Sequence, residues 1–305
     1  MESGRLPRFK RSSAVIPIRL TERDHHILRH VRRHRFLLSD HIDALVPGSR
    51  QQILRRLQRL FHHGYLDRPR SQLEYFHQGG SKSIVYGLDR KGAKLLGAES
   101  AQLRPRRDSK HLMQPAKQVY LQHSLLVSTV MVALEHSCAR SGTVRLVREE
   151  ELAASTNLRE SFRWTVTVHS RRLGLRPDNV FGLENMHTGE RWYYFLEADR
   201  ATMPVVRRTL TQSSFQRKLL AYEATWRQDI HRSRFGFHRF RVLTVTSNIE
   251  RVRHLIEACS KLRRAHGMFL FADFPSLQRH GDPLTMPWQS ARHSVETLIS
   301  HPRAG

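Results

Sequence analysis

The sequence predicts an α/β chain (α+β overall) of two domains, an N-terminal winged helix-turn-helix followed by a mixed-sheet domain. Its 305 residues exceed the roughly 100–200 that one domain usually takes. Three short amphipathic helical patterns and two β-prone runs fill the first third, the element order of a winged helix. Beyond residue 115, strand patterns of period two alternate with helical patterns of period 3.6, which predicts a sheet flanked by helices.

Residues 1–18 carry basic side chains without periodicity and read as a flexible basic arm. The winged-helix domain spans 19–99. Thr21 followed by Asp24 is a capping pattern, and Ile27, Leu28 and Val31 share one face of a helix ending near His34. A second helix begins at Ser39, buries Ile42 and Leu45, and stops at Pro47-Gly48. The third is capped by Ser49 with Gln52 at its third position, and buries Ile53, Leu57, Leu60 and Phe61. Gln51, Gln52, Arg55, Arg59 and His62 fall on its opposite face. Gln and Arg make two-point contacts with adenine and guanine edges, so this helix is the candidate reading helix. Arg50 and Arg56 add charge on the helix, and Lys82 adds it in the polar loop between the runs Leu73 to Phe76 and Ser83 to Leu88.

The polar, basic stretch 100–114 reads as a linker, 115–285 as the second domain and 286–305 as a tail. The second domain opens on a helix from about Pro115 to Ser141. Phe162, Trp164, Val166 and Val168 then alternate with polar residues, a half-buried strand. Two strands, about Pro177 to Leu183 and Trp192 to Ala198, flank the turn at His187-Thr188-Gly189. A helix from about Leu210 to Trp226, a strand at Val242 to Thr246, a helix at Ile249 to Leu262 and a strand at Met268 to Phe271 follow.

Composition narrows the function. Lysine and arginine number 52 against 27 acids, a net charge of +25, so the expected partner is nucleic acid or an anionic membrane, and with the winged-helix pattern double-stranded DNA. Arginines number 44 and lysines 8, and a guanidinium offers a planar fork to phosphate or guanine that an ammonium does not. A codon bias toward arginine accounts for the same ratio. Two cysteines cannot build a disulfide framework or a four-cysteine zinc site. No apolar run spans a bilayer and no signal core follows the basic N-terminus, so a cytoplasmic, non-membrane protein is expected. No Walker loop or dinucleotide fingerprint occurs.

The chemistry-bearing residues are Asp178, Glu197 and Asp199. A hairpin turning near Thr188 puts Asp178 across from Glu197 or Asp199, and strand alternation puts Glu197 and Asp199 on one face. Three carboxylates on one patch repel one another unless a cation intervenes. Mg2+ is the candidate metal for such an oxygen set, and Lys218, Arg200 or Arg176 are alternative neutralisers.

Arg176-Pro177-Asp178, then Phe195-Leu196-Glu197-Ala198-Asp199-Arg200-Ala201-Thr202 and the Lys218 to Tyr222 helix, resemble the replication-relaxation family of plasmids and mobile elements. The resemblance covers most of residues 20 to 275. It implies a winged helix ahead of a domain like the PD-(D/E)xK restriction-endonuclease core, and a role in plasmid replication, relaxation or mobilisation beside a replication or relaxase protein. In the PD-(D/E)xK pattern an aspartate and a glutamate hold a metal, and a lysine two residues after the glutamate helps activate water. Here Asp199 stands in the lysine's place, leaving Lys218 as the candidate replacement. Three roles for the cluster stay open: a magnesium-dependent nuclease or nickase using Asp178, Glu197, Asp199 and Lys218, a non-catalytic acidic site, or plain pairing with arginines. A transcription regulator whose second domain docks a partner is the reading from another class.

Overall fold

A computed structural model describes residues 8–12, 17–73, 83–97, 115–155, 162–209, 211–262, 266–292 and 294–299. The chain divides into two compact units, residues 1–132 and 133–305.

In the first unit the order is α1 (Glu22–His34), β1 (Phe36–Leu38), α2 (Ser39–Leu45), α3 (Arg50–His62), β2 (Leu66–Asp67), β3 (Val85–Leu88) and α4 (Arg90–Leu95). The strands form an antiparallel sheet in the order β1-β3-β2. Ile27, Leu28 and Val31 of α1, Ile42 of α2, Ile53, Leu57 and Leu60 of α3 and Leu37 of β1 are fully buried together. The caps form largely as the sequence implies. The Thr21 backbone N–H and hydroxyl both donate to Asp24, at 2.7 and 2.8 Å, and Ser49 Oγ accepts from Gln52 N at 3.4 Å. Gln52 does not complete a capping box, because its amide oxygen accepts instead from Arg23 at 3.3 Å.

Two differences from expectation bear on function. Leu73, expected to start a strand, lies in αR backbone at the end of a 3-10 turn, Arg70–Gln72. The rest of that run, with Lys82, lies outside the described residues. Residues 8–12 of the expected flexible arm are docked. Arg11 donates to Phe61 O at 2.9 Å and Leu66 O at 3.1 Å and pairs with Asp89, while Arg8 O accepts from Arg68. Arg68 tolerates its burial because its guanidinium lies between the Phe61 and Tyr86 rings, 4.3 and 5.2 Å from their centroids.

The linker region 100–114 lies outside the described residues. The long helix α5 (Pro115–Ser141) begins where the sequence places it, but its residues up to Val132 count with the first unit. Ser128 Oγ donates to His34 O at 3.1 Å, and Arg35 donates to Tyr120 OH at 3.0 Å.

The second unit is built on a seven-stranded mixed sheet. Its strands are β4 (Val144–Val147), β7 (Asn179–Asn185), β8 (Arg191–Asp199), β9 (Phe240–Thr246), β10 (Phe269–Asp273), β11 (Trp288–Ser290) and β12 (Val295–Glu296), in the order β12-β11-β10-β9-β8-β7-β4. β8, β9 and β10 run parallel, joined by α7 (Phe215–Arg227) with the short α8 (Ile230–Ser233), and by α9 (Ile249–Ser260). The other pairs are antiparallel. A separate hairpin, β5 (Trp164–Val168) and β6 (Arg171–Leu175), turns through His169 and Ser170 at φ 45° and 62°. Helices α6 (Glu149–Ser155) and α10 (Phe274–His280) complete the unit.

Residues 286–298, expected as part of a tail, instead carry β11 and β12 and bury Met286, Trp288 and Leu298. α7 starts at Phe215 rather than Leu210, because Ser214 is extended and its hydroxyl caps Arg217 N at 3.3 Å. One core joins the hairpin's Trp164, Val166, Leu173 and Leu175 to Phe195 of β8, Leu219 and Tyr222 of α7 and Leu255 of α9. The odd-numbered positions of β8 therefore face α7 and α9, and this face holds the carboxylates.

Candidate functional site

β8 lies inside the sheet, so its end is enclosed by neighbouring strands and by helices. The register pairs Asn179 with Leu196, which places Asp178 across from Glu197 and so decides between the two alignments open to the sequence. Asp178 N donates to Leu196 O at 3.0 Å, and its carboxylate accepts from Ala198 N at 2.8 Å. Asp178 thereby closes the strand end with its own side chain.

Glu197 is 1% exposed. One oxygen pairs with Lys218 Nζ, and the other accepts from Tyr222 OH at 2.6 Å. Lys218 and Tyr222 lie one turn apart on α7 and so present both donors from one helix face. Burial pushes the Glu197 carboxyl up to about 7, against the pull of the Lys218 ammonium, and the nearby Asp178 charge adds to the rise. Burial works against the charge of Lys218 as well, yet Glu197, Asp178 and Asp199 together hold its ammonium above the ordinary lysine value.

Asp199 shares the face of Glu197, as alternation requires, but binds different partners. Its Oδ2 accepts from Thr246 Oγ1 at 2.9 Å and from Arg251 Nε at 2.8 Å, and Oδ1 accepts from Ala201 N at 3.2 Å. Arg251 also donates to Met203 O at 2.6 Å. The neutraliser that sequence reasoning missed is Arg251. It stands in the first turn of α9, whose N-terminus is fixed by Asn248 capping Arg251 N at 2.8 Å just beyond β9, the parallel neighbour of β8. An arginine three residues after a capping asparagine, following the strand that pairs with β8, was the available signal.

The magnesium expectation can be tested on this geometry. A hard cation needs several carboxylate oxygens converging with lone pairs to spare. Both Glu197 oxygens are engaged, Asp199 is held by a guanidinium, and no choice of one oxygen from each of the three acids leaves all three within 4.8 Å of one another. When all are ionised, Asp178, Glu197 and Asp199 carry three negative charges, and Lys218 and Arg251 return two. The side chains as arranged do not fit a three-carboxylate metal site.

On α3 the seven residues expected at nucleic acid separate. Gln51 and Arg55 are exposed and make no hydrogen bond or ion pair among the described residues, with Leu54 beside them at 38% exposure. Arg50 and Gln52 are exposed but engaged, Arg50 with Asp40 at 2.6 Å and Asp43 at 3.2 Å, Gln52 with Arg23. Three expectations of an outward side chain fail. Arg56 pairs with fully buried Asp24, its Nε 2.8 Å from Oδ1, and donates to Arg19 O at 3.1 Å. Arg59 donates to Pro17 O at 3.0 Å, and His62 is buried with Nδ1 accepting from Ser12 N at 3.2 Å. The cause is common to the last two: Ser12 and Pro17, both ahead of α1, meet this side of α3. Although burial opposes it, Arg56 and the Thr21 donors hold the Asp24 carboxyl below its ordinary value.

These features define an α/β protein with a helix-rich first unit and a second unit whose mixed sheet carries a compensated acidic cluster at the end of an interior strand, β8. The replication-relaxation family model matches residues 28–239, and the chain belongs to that family. The matched span includes Asp178, Glu197, Asp199, Lys218 and Tyr222 and stops short of Thr246 and Arg251. No curated protein and no solved structure matches the chain. Membership associates the protein with replication or relaxation. Among the described residues no helix is long and apolar enough to cross a membrane.

Proposed function

We propose that this protein binds duplex DNA in plasmid or mobile-element replication or relaxation, using the first unit as a winged helix and α3 as its reading helix. The observation that carries this reading is the pair Gln51 and Arg55. They sit one turn apart on a helix held by α1, α2 and a three-stranded sheet, and neither side chain is committed to the protein. Uncommitted Gln and Arg side chains on an outward helix face suit adenine and guanine edges. The net charge of +25 supplies the sequence-independent attraction. Arg55→Ala tests it by titration of specific and random duplexes. The gap between the two should narrow by about 1–3 kcal/mol, and no change on either DNA would remove α3 from the interface.

The acidic cluster is read as a non-catalytic device that fastens the end of β8 to α7 and α9. One observation favours the alternative of a magnesium-dependent nuclease, since Lys218 does reach Glu197 from the helix. The saturation of Glu197 and Asp199 by internal donors weighs against it. Incubation of supercoiled plasmid with the full chain and magnesium or manganese separates the two readings. Nicking that Asp178→Ala abolishes, with DNA affinity intact, would establish the nuclease.

A further inference from the structure

The second unit carries a cationic surface that neither α3 nor the acidic cluster uses. Residues 162–177 contain no aspartate or glutamate and four arginines, Arg163, Arg171, Arg172 and Arg176. Strand alternation sorts them. Trp164, Val166 and Val168 of β5 and Leu173 and Leu175 of β6 point into the core, so Arg163, Thr165 and Thr167 lie on the outer side with Arg172 and Gly174. The register sets Thr165 opposite Gly174 and Thr167 opposite Arg172. A Cβ at Gly174 would meet nothing within 4 Å, so this part of the strand is open to the approach of a large ligand. Arg234, exposed beyond α8, closes one side of a depression of about 500 Å3 lined by Arg163, Trp164, Thr165, Arg172 and Arg234.

What sets these arginines apart is that they are gathered around one depression. Elsewhere in this unit Arg145, Arg148, Arg191, Arg241 and Arg251 each pair with a carboxylate. Arg163, Arg172 and Arg234 pair with no carboxylate among the described residues, though they share one depression. Three exposed guanidiniums gathered without an internal counter-ion favour an external anion. Guanidinium forks and a threonine hydroxyl are phosphate-binding groups. The strand pair is broad and presents no helix to enter a groove, so its contacts would fall on backbone phosphates rather than base edges.

We infer that the outer face of the β5–β6 hairpin, with Arg234, is a second nucleic-acid surface that grips the duplex phosphate backbone without reading sequence. This rests on the DNA-binding reading above. The test uses the full chain and a short random-sequence duplex, with affinity measured across salt between about 50 and 200 mM. Each phosphate neutralised contributes about −0.9 to the slope of log K on log salt. Arg163→Gln/Arg172→Gln/Arg234→Gln should therefore make the slope about 2 to 3 less steep, and Arg172→Gln alone about 0.9. Specific and random duplexes should weaken alike. A charge-matched control, Arg253→Gln/Arg279→Gln/Arg292→Gln, removes three exposed arginines elsewhere in the unit and should keep most of the slope. If the wild-type slope survives the hairpin triple, or the control flattens it equally, the surface is not a site. If wild type binds no DNA at any salt, the DNA-binding reading itself falls.

Discussion

Replacing Lys218 with methionine tests how the acidic cluster is held together. Methionine keeps the length and apolar stem of the side chain and removes the ammonium. Glu197, 1% exposed, would then retain only the 2.6 Å bond from Tyr222 OH. Removing one partner of a buried pair costs about 3–5 kcal/mol, because the other charge is left uncompensated. Lys218 keeps 30% exposure, which screens part of its attraction, so the low end, about 3 kcal/mol at pH 8, is the expectation. The cheaper escape for Glu197 is to take up a proton. Its carboxyl already stands at about 7 with the ammonium present, and removing that charge pushes it higher. A carboxyl raised on folding adds stability below its unfolded value, and that contribution is lost as pH rises through the folded value. The deficit of Lys218→Met should thus be small near pH 5 and grow toward pH 8. Urea unfolding followed by tryptophan fluorescence reads this unit alone, since Trp164, Trp192, Trp226 and Trp288 all lie in it. Glu197→Gln combined with Lys218→Met should cost clearly less than the sum of the two single changes. A deficit equal at both pH values, or simple additivity, would refute the argument.

Further substitutions separate support from contact. Arg56→Met leaves Asp24 buried and unpaired and should cost about 3 kcal/mol in thermal or urea unfolding of the first unit, with the specific-to-random DNA ratio unchanged. Arg55→Ala should do the reverse, moving stability by less than about 0.5 kcal/mol while narrowing that ratio. Gly92→Ala drives a methyl into the Tyr65 carbonyl and against Leu88 and should cost about 1–3 kcal/mol, measured by unfolding of the same unit. Arg251→Met strands the Asp199 carboxylate with Thr246 and Ala201 N and should destabilise the second unit by about 3 kcal/mol.

The parts of the fold that the sequence made legible are those set by local pattern. The β7–β8 hairpin follows from apolar runs on either side of His187-Thr188-Gly189, and the three N-terminal helices follow from capping patterns at Thr21 and Ser49, the stop at Pro47-Gly48 and the apolar stripes between them. The parts that stayed hidden depend on contacts far apart in sequence. Residues 8–12 look like a free arm until Arg11 meets Phe61 O, Leu66 O and Asp89. Strands of three and two residues, β11 and β12, carry too little alternation to announce themselves, and they exist because the edge of β10 offers a ladder. Helical-wheel reasoning also failed on Arg56 and Arg59, because a wheel assigns a face but cannot show that Asp24 and Pro17 O occupy it.

The acidic cluster shows the same division with more at stake. Alternation correctly places Glu197 and Asp199 on one face, and hairpin arithmetic brings Asp178 beside them. From those facts alone, three like charges ask for a cation, and a metal is the economical answer. The count changes when the fold supplies Lys218 from α7 and Arg251 from α9, two helices that cross over from β8 to β9 and from β9 to β10. Both crossovers start at the carboxyl ends of parallel strands, where Glu197 and Asp199 also sit, so the topology delivers cationic side chains to the place where the acids repel. Such a cluster gains from compensation whatever its chemistry, since each buried carboxylate is costly without a partner. Asp199 in the position of the expected lysine is then no isolated defect. With Arg251 on it, that position carries a neutral pair in place of a free ammonium, and the nearest ammonium is spent on Glu197.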